Sequence, residues 1–365
     1  MYRYEMHLHT GESSKCGVTP GKEYIEIFKA RGYDGIFITD HFYHGNTRTE
    51  RSLPWEEFVE GYCRGYEEAK AEGDRQGFKV FFGIEENFAG DEYLIYGVDK
   101  EWLLAHPEIR DWTRKEMFRL VHAHGGCVIQ AHPFRDRNYI TRIHLGLDYC
   151  DGIEAVNAGN KPVEDYAALA YAKKFGLFTI VGSDTHVKTR INDSNAAIGY
   201  EKPIESTYDF AARVLAGDQP TLLYPAERLE NLTAKVMLPV EIYQNGRRDV
   251  EEAEVLSWCR EAGYAVEEKR VRHIVCFKLK DPTEVACRTA ADVLRSMKGK
   301  VEMLEDIQVG VDFLHSERSY DVVLEIVVRD KAALEAYQNH PYHVDVVKKF
   351  MHEARESSVS MDYYI

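Results

Sequence analysis

The sequence predicts an α/β fold with parallel strands and outer helices, followed by a smaller α+β domain. Short β-like runs alternate with amphipathic helical stretches over the first 230 residues, a pattern typical of parallel strands covered by helices. From Arg270 the pattern changes to strands and helices in the order β-α-β-β-α-β, which indicates an α+β sandwich. The length of 365 residues is sufficient for two domains with sizeable cores.

The individual elements follow from local periodicity. In the first part, apolar runs predict strands at 5–9, 34–39, 79–84, 127–131, 151–156 and 177–181, and helical spacing appears at 22–30, 55–71 and 111–124. In the second part, strands are predicted at 272–279, 319–328 and near Val359, with helices at 283–298, 331–337 and 343–355. We therefore predict domains at 1–232 and 270–365, with a connecting segment of unassigned fold at 233–269.

The composition excludes several classes of protein. Lys and Arg total 46 and Asp and Glu total 61, giving a net charge of −15, so a nucleic-acid partner is not expected. Long apolar runs are missing and the opening MYRYEMHLHT has no apolar signal-peptide core, so no membrane partner is expected. Seven scattered cysteines without a CxxC motif indicate reduced thiols, and we expect a cytoplasmic protein.

Polar side chains gather where the predicted strands end. His7 and His9 lie two residues apart, so a strand places both on one face; alone, such a pair fits a metal site and two half-buried histidines equally well. Other predicted strands end in the same way, at Asp40, His41, Glu85, His132, Asp184 and His186. The carboxyl ends of parallel strands meet at one edge, and imidazole with carboxylate suits Zn, Mn or Fe. A carboxylate such as Glu85 can bridge two such ions.

The order of these motifs resembles the polymerase-and-histidinol-phosphatase (PHP) family over roughly residues 1–232. The matching segments are His7-x-His9, Thr39-Asp-His41, Gly83-Ile-Glu85, Ala131-His-Pro133, Ile153-Glu-Ala-Val-Asn157 and Gly182-Ser-Asp-x-His186. The resemblance implies a distorted seven-stranded β/α barrel, a (β/α)7 fold, with up to three metal ions. It also implies the hydrolysis of phosphoesters.

The resemblance assigns the metal ligands residue by residue. It implies a first site of His7, His9, Glu85 and Asp184. It implies a second site in which Glu85 bridges to an ion also bound by His132, and a third site of His41 and His186. We therefore expect two to three divalent ions of zinc, manganese or iron.

The chain departs from the family pattern in two places. Many members have a further His or Asp five or six residues after the HxH motif, where this chain has Ser14 and Lys15. Glu12 is the nearest carboxylate and the candidate substitute. Many members also have a His on the strand after the bridging Glu, where this chain has Tyr93. We interpret Cys16 as a small buried residue.

The predicted chemistry is in-line attack of a metal-activated water on phosphorus. Asp184, His186 and Arg135 are the predicted catalytic residues, and His186 or His41 protonates the leaving oxygen if it is not fully engaged as a ligand. Arg135 fits both a phosphate-binding side chain and a surface-loop arginine. Asn157 and His44 are further candidates for contact with a small phosphorylated substrate, although His44 also fits a solvated loop.

Residues 270–365 resemble the stress-responsive dimeric α/β-barrel (Dabb) family. The matching segments are 272–278, 320–324, 336–343 and 361–363. The resemblance implies a ferredoxin-like α+β domain that forms a homodimer. It also places His273, Tyr337 and His343 in a cavity, as in plant polyketide cyclases of the family. The alternative is that His340 and His343 only organise a turn and the start of a helix.

These observations predict a metal-dependent phosphoesterase acting on a small phosphorylated metabolite or nucleotide. One alternative is a hydrolase that uses the same metals on a different bond. The other is a metal-bearing ligand-binding or regulatory protein whose Dabb domain dimerises or binds a small apolar ligand. Metal content measured beside phosphoester turnover separates the three.

Overall fold

The chain folds into two compact units. A computed structural model describes residues 1–193, 196–267 and 270–365. The units comprise Met1–Val266 and Glu267–Ile365. No helix among the described residues is long and apolar enough to cross a membrane.

The first unit alternates strands and helices as the periodicity predicted. Its strands are β1 (Tyr2–Glu5), β2 (Gly35–Ile38), β3 (Lys79–Phe82), β4 (Ile84–Phe88), β5 (Asp91–Tyr96), β6 (Cys127–Gln130), β7 (Ile143–Leu145), β8 (Gly152–Asn157), β9 (Phe178–Gly182), β10 (Ala197–Tyr200), β11 (Thr221–Leu223), β12 (Val240–Tyr243) and β13 (Arg247–Val250). Its helices are α1 (Gly21–Ala30), α2 (Trp55–Gln76), α3 (Lys100–Ala105), α4 (Arg114–Ala123), α5 (Pro162–Phe175), α6 (Thr207–Leu215) and α7 (Glu252–Ala262).

Two five-stranded sheets position the candidate site. Their orders are β11-β10-β1-β2-β3 and β4-β5-β6-β8-β9. Pairing is parallel for β1–β2, β2–β3, β6–β8 and β8–β9, whereas β5 is antiparallel to both β4 and β6. The β4–β5 hairpin turns at Ala89 and Gly90, both with positive φ (57° and 105°), which suits a tight two-residue turn.

The sheets meet at their strand ends. Isolated bridges join Leu8 to Thr185 and His41 to Glu85. Side chains from both sheets share one buried cluster that includes Tyr4, Phe37, Leu94, Ile129 and Ile180. The regular pairings do not by themselves confirm the single seven-stranded barrel that the resemblance implies.

Much of the segment predicted as a connector is structured. Within 233–266, β12 pairs with β7 and β13, and these strands form a three-stranded sheet. Trp258 and Val255 on α7 are buried in one cluster with Tyr171 on α5. The segment lies in the first unit because its apolar side chains cover α5 and β7. Its last two residues, Glu268 and Lys269, lie outside the described residues.

The second unit has the predicted strand and helix order. Its elements are β14 (Val271–Leu279), α8 (Glu284–Arg295), β15 (Leu304–Val311), β16 (Val322–Val328), α9 (Lys331–Asn339), a π-helix (His343–Lys348), α10 (Lys349–Ala354) and β17 (Arg355–Tyr364). They form an antiparallel sheet of order β15-β16-β14-β17. The location of β15 was not evident from the sequence, and none of its side chains is fully buried.

Candidate metal centre

The strand ends bring the predicted ligands together. His7 and His9 follow β1, His41 follows β2, His132 follows β6, and Asp184 and His186 follow β9, while Glu85 lies on β4. Sets of three potential ligand atoms lie within 4.8 Å of one another. These sets are His7/His9/Asp184, His7/Glu85/His132, His41/Glu85/Glu92 and His9/His41/His186.

His7 and His9 form the centre of the arrangement. Their Nε2 atoms are 3.1 Å apart. His7 Nε2 is 3.0 Å from Glu85 Oε1, and His9 Nε2 is 3.2 Å from Asp184 Oδ1. Both imidazoles are fully buried, so these four side chains form an enclosed N- and O-donor set.

A carboxylate that the sequence analysis missed lies beside this set. Glu92 Oε2 is 3.4 Å from His132 Nε2, which is itself 3.3 Å from Glu85 Oε1. Glu92 occupies β5, where the resemblance pointed to Tyr93. The sequence signal was its position next to Tyr93, since neighbouring residues of a strand point to opposite faces.

The imidazole of His9 stacks on the imidazoles of both His41 and His186. The ring of His9 has its centroid 4.3 Å from those of both His41 and His186. The half-buried Cys16 thiol lies against His186 and His41. Burial opposes ionisation of this thiol, but interactions with His186 and His41 outweigh burial and lower its pKa to about 6.

Buried carboxylates orient the candidate ligands. Glu154 Oε1 is 3.0 Å from His7 Nδ1, and Glu154 Oε2 accepts a hydrogen bond from the His132 backbone N–H at 3.1 Å. Asp40 instead accepts hydrogen bonds from Thr10 and Ser14, so it organises the loop after His9. Carboxylate partners of this kind fix the orientation of metal-binding imidazoles.

Two candidate ligands have an unusual backbone conformation. His132 and Asp184 have φ values of 30° and 51°, the left-handed region that non-glycine residues rarely adopt. Such conformations cluster at functional sites because the surrounding structure enforces them.

The donor atoms fit a cation. His41 Nδ1 and Glu85 Oε2 are both buried without a hydrogen-bond partner among the described residues, although only 2.7 Å separates them. Buried polar atoms are rarely left unsatisfied. A divalent ion coordinated by these imidazole and carboxylate atoms would satisfy both.

The charge states of the carboxylates in the centre are consistent with a bound cation. Burial opposes the charge on Glu85, but His7 and His41 outweigh it and hold its pKa well below its usual range. Burial likewise opposes the charge on Asp184, but Arg135 and His7 lower its pKa. The carboxylates are therefore anionic ligands, and a bound cation would replace the imidazole protons that balance them.

Arg135 contacts a candidate ligand directly. Its Nη2 donates to Asp184 Oδ2 at 2.6 Å and to Asn157 Oδ1 at 3.0 Å, and its Nε donates to Asn160. Asn157 in turn donates to Glu154. The structure thus brings Arg135 and Asn157 to the centre as groups that hold its carboxylates.

Two other predicted residues lie apart from the convergent sets. Glu12 Oε2 accepts a hydrogen bond from the Gly21 N–H at the start of α1. His44 Nδ1 is 3.1 Å from the buried Glu86, and its Nε2 is 3.0 Å from the Arg110 carbonyl oxygen. Both side chains have local partners that account for their positions.

The second unit contains a separate cavity. Its volume is about 360 Å³, and His273, Tyr337 and His343 are among the residues that line it. His273 Nδ1 is 2.6 Å from Asp362 Oδ1, and the rings of Tyr337 and His343 stack at 4.3 Å. The three residues predicted from the resemblance therefore share one cavity.

Comparison with solved structures gives matches to both units. A two-domain protein from Bacteroides vulgatus, described as containing a predicted PHP-like metal-dependent phosphoesterase, is 11% identical with a TM-score of 0.47; the match covers 90% of this chain and 87% of that one. A proposed metal-dependent phosphoesterase from Bifidobacterium adolescentis is 16% identical with a TM-score of 0.37, covering 51% and 88%. A dimeric ferredoxin-like protein of unknown function from Bacteroides fragilis is 26% identical with a TM-score of 0.24, covering 26% and 96%.

Sequence comparisons identify the second unit. Comparison with curated proteins gives no significant match. The family model described as Stress responsive A/B Barrel Domain matches residues 271–365. The C-terminal part of the chain is therefore a Dabb domain.

Proposed function

We propose that the first unit is a metal-dependent phosphoesterase that acts on a small phosphorylated metabolite or nucleotide. The observation that carries the proposal is the convergence of His7, His9, Glu85 and Asp184, together with the buried His41 Nδ1 and Glu85 Oε2 atoms, which have no hydrogen-bond partner among the described residues. In this proposal, the two five-stranded sheets and their bridges act as one distorted seven-stranded barrel whose strand ends hold the site.

In this proposal, the centre would hold two to three divalent ions of zinc, manganese or iron. His7, His9, Glu85 and Asp184 would hold the first ion, and Glu85 would also contribute to a second set of ligands. Glu92 and His132 complete that second set, with Glu92 in the place where the resemblance pointed to a histidine. Ions held by these residues would supply a water nucleophile activated near neutral pH and would stabilise charge on phosphoryl oxygens.

Residues of the chain itself position the metal ligands and protonate the leaving oxygen. Arg135 fixes Asp184 through a charge-assisted hydrogen bond, and Glu154 fixes the ring of His7. The side chain of His186 is 25% exposed, so it can reach a bound substrate. His186 therefore serves as the acid that gives a proton to the leaving oxygen.

The test combines metal analysis with turnover. The purified protein is assayed against a panel of phosphomonoesters, phosphodiesters and nucleotides, beside carboxylic esters and amides. His9→Ala and Asp184→Asn should each lose bound metal and lower turnover by at least about a hundredfold, since each removes a direct ligand. Exposed His315, replaced by Asn because its φ is positive at 52°, should change neither.

Each of the other possible results of this experiment supports a different conclusion about the function. Metal-dependent turnover of only carboxylic esters or amides indicates a hydrolase of a different bond. Bound metal with no turnover on the panel indicates a binding or regulatory protein. Folded protein that binds no metal overturns the proposed site.

A second function is proposed for the Dabb domain, which is homodimerisation with binding of a small apolar ligand. The 360 Å³ cavity falls in the size range of small-molecule sites, and apolar side chains including Leu324 and Met351 line it beside His273, Tyr337 and His343. Calorimetry with small aromatic ketones tests this, and Tyr337→Ala should abolish the heat of binding.

A further inference from the structure

An arginine from outside the metal centre fastens the loop between β8 and α5. Arg228 follows β11, in the short 3₁₀ helix Ala226–Leu229. Its Nη2 donates to the backbone carbonyl oxygens of Asn157 and Asn160, at 2.7 and 2.9 Å. Its Nε donates to Asp165 Oδ2 at 2.6 Å. One guanidinium therefore ties both ends of this loop to the first turn of α5.

Asp165 fixes the direction in which the amide of Asn160 points. The Asp165 side chain is fully buried, and its Oδ1 accepts hydrogen bonds from the Asn157 N–H at 3.1 Å and from Asn160 Nδ2 at 3.0 Å. An ionised carboxylate can only accept hydrogen bonds, so the NH₂ group of Asn160 must face Asp165. The Oδ1 atom of Asn160 is then left to accept from Arg135 Nε at 2.9 Å.

The side chain of Asn157 is oriented by another carboxylate. Its Nδ2 donates to Glu154 Oε2 at 2.8 Å, and its Oδ1 therefore accepts from Arg135 Nη2 at 3.0 Å. The same Nη2 donates to Asp184 Oδ2 at 2.6 Å. Two oriented amide oxygens thus hold the guanidinium that holds Asp184.

Arg228 also favours the ionised state on which this order depends. Burial raises the pKa of Asp165 to about 6, and the charge of Arg228 is the largest of the effects that oppose the rise. Without Arg228, a larger fraction of Asp165 would be protonated near neutral pH, and a protonated carboxyl donates a hydrogen bond. The amide of Asn160 would then no longer be held in one orientation.

We propose that Arg228 is a positioning residue that fixes the orientation of Arg135 and, through Arg135, that of the candidate ligand Asp184. The inference rests on the proposed function, because it concerns a ligand of the same centre. The alternative is a simple ion pair that neutralises the buried Asp165. The planar fork of the guanidinium fits the carboxylate and the two carbonyl oxygens at once, whereas a lysine ammonium is a single point charge.

Arg213 provides a matched control. Its side chain is 15% exposed, as is that of Arg228. It also binds one carboxylate, Asp209, and two backbone carbonyl oxygens, those of Lys202 and Pro203. These partners lie on α6 and in the segment before it, outside the candidate centre. Arg213→Met therefore measures the cost of losing such a side chain away from the site.

The metal affinity of the variants tests the positioning role. Metal-free full-length protein is titrated with Zn²⁺ in competition with a chelator. Arg228→Met should weaken binding about 10–100-fold, and Arg228→Lys should recover part of the loss because it restores the charge beside Asp165. Arg213→Met should lower the Tm to a similar extent and leave the affinity unchanged. Unchanged affinity in Arg228→Met, or equal losses in Arg228→Met and Arg213→Met, would overturn the inference.

A double-mutant cycle measures the same coupling without any metal. Urea unfolding of metal-free protein, followed by tryptophan fluorescence, is compared for Arg135→Met, Arg228→Met and the double variant. Residues that share one hydrogen-bond network are not additive, so the unfolding constant of the double variant should depart at least about threefold from additivity. Arg135→Met combined with Arg213→Met should be additive. Additivity in both pairs would overturn the inference, and Arg228→Lys replaces Arg228→Met in the cycle if the latter fails to fold.

The outcomes separate this inference from the proposed function. Coupling between Arg135 and Arg228 in a protein that binds no metal supports the positioning role and overturns the phosphoesterase. Metal binding and turnover that are unchanged in Arg228→Met overturn the positioning role and leave the phosphoesterase intact. Weakened zinc binding together with coupling supports both.

Discussion

Arg135 holds Asp184 by one oxygen while the other oxygen faces the histidines. Its Nη2 lies 2.6 Å from Asp184 Oδ2, and Asp184 Oδ1 lies 3.2 Å from His9 Nε2. An arginine so engaged is a positioning residue for the centre. This arrangement differs from a free phosphate-binding arginine, which would present its guanidinium to the substrate.

Replacing Arg135 therefore tests positioning against substrate binding. Arg135→Ala should weaken metal binding by about 10–100-fold, because Asp184 loses the partner that orients it. It should also lower kcat with a smaller change in KM once metal is saturating. Arg135→Lys should recover part of the metal affinity. A raised KM with unchanged metal affinity would instead assign Arg135 to the substrate.

Replacing Glu92 tests its role as a metal ligand, and the same replacement at Glu12 is the matched control. Glu92→Gln should lower the stoichiometry or affinity of bound metal, because it removes an anionic donor 3.4 Å from His132. Glu12→Gln should leave metal binding unchanged, since Glu12 accepts a hydrogen bond at α1. Metal content after dialysis against a series of buffered metal concentrations measures both. A loss of bound metal in Glu12→Gln but not in Glu92→Gln would restore the assignment of Glu12 as a metal ligand.

Glu154 is predicted to act through His7. Glu154→Gln should reduce metal affinity by about 10–100-fold, because the amide cannot accept the imidazole proton as the carboxylate does. The control is Glu86→Gln, another fully buried glutamate, which contacts His44 and Trp112. That variant should lower stability without changing metal affinity. An equal loss of affinity in both variants would contradict a specific role for Glu154.

Metal removal should destabilise the first unit selectively. A ligand present at a hundred times its dissociation constant stabilises the folded state by about 2.7 kcal/mol. All four tryptophans, Trp55, Trp102, Trp112 and Trp258, belong to the first unit, so their fluorescence follows its unfolding alone. Chelation should lower the Tm of the fluorescence transition and leave the calorimetric transition of the Dabb domain in place. A fluorescence Tm insensitive to chelation would argue against a metal-stabilised fold.

The predicted homodimer has a defined candidate surface. Val359 and Met361 on β17 are 51% and 65% exposed, and they pair with Cys276 and Ile274 on β14. Alternation places these side chains on the face opposite the cavity-lining Ser358 and Ser360. Met361→Glu should convert a dimer to monomers in light scattering, whereas Thr289→Glu on α8 should not. A Met361→Glu protein that stays dimeric would move the interface elsewhere.

The sequence predicted the polar centre better than the sheet that carries it. His7, His9, Glu85, His132 and Asp184 could be found because each ends or lies on a short apolar run. Glu92 could not be found from motif order, since a carboxylate stands beside the position where a histidine was sought. The antiparallel direction of β5 was also not predicted, because the turn at Ala89 and Gly90 sets that direction and the spacing of apolar residues does not reveal it.

Tertiary packing decided the remaining differences. Residues 240–250 lacked an assignment because β12 and β13 are only four residues long, whereas the helical spacing of 250–262 matches α7. The surroundings of Cys16 gave no sequence signal, because His41 and His186 are 25 and 170 residues away along the chain.

The left-handed backbone of His132 and Asp184 has an evolutionary consequence. Each such residue costs about 1–3 kcal/mol, so a screen that selects only for thermal stability should favour glycine at 132 and 184. The same substitutions would delete an imidazole and a carboxylate from the centre. Stability and metal binding therefore compete at these two positions, and a chain that retains His132 and Asp184 does so at the expense of a more stable fold.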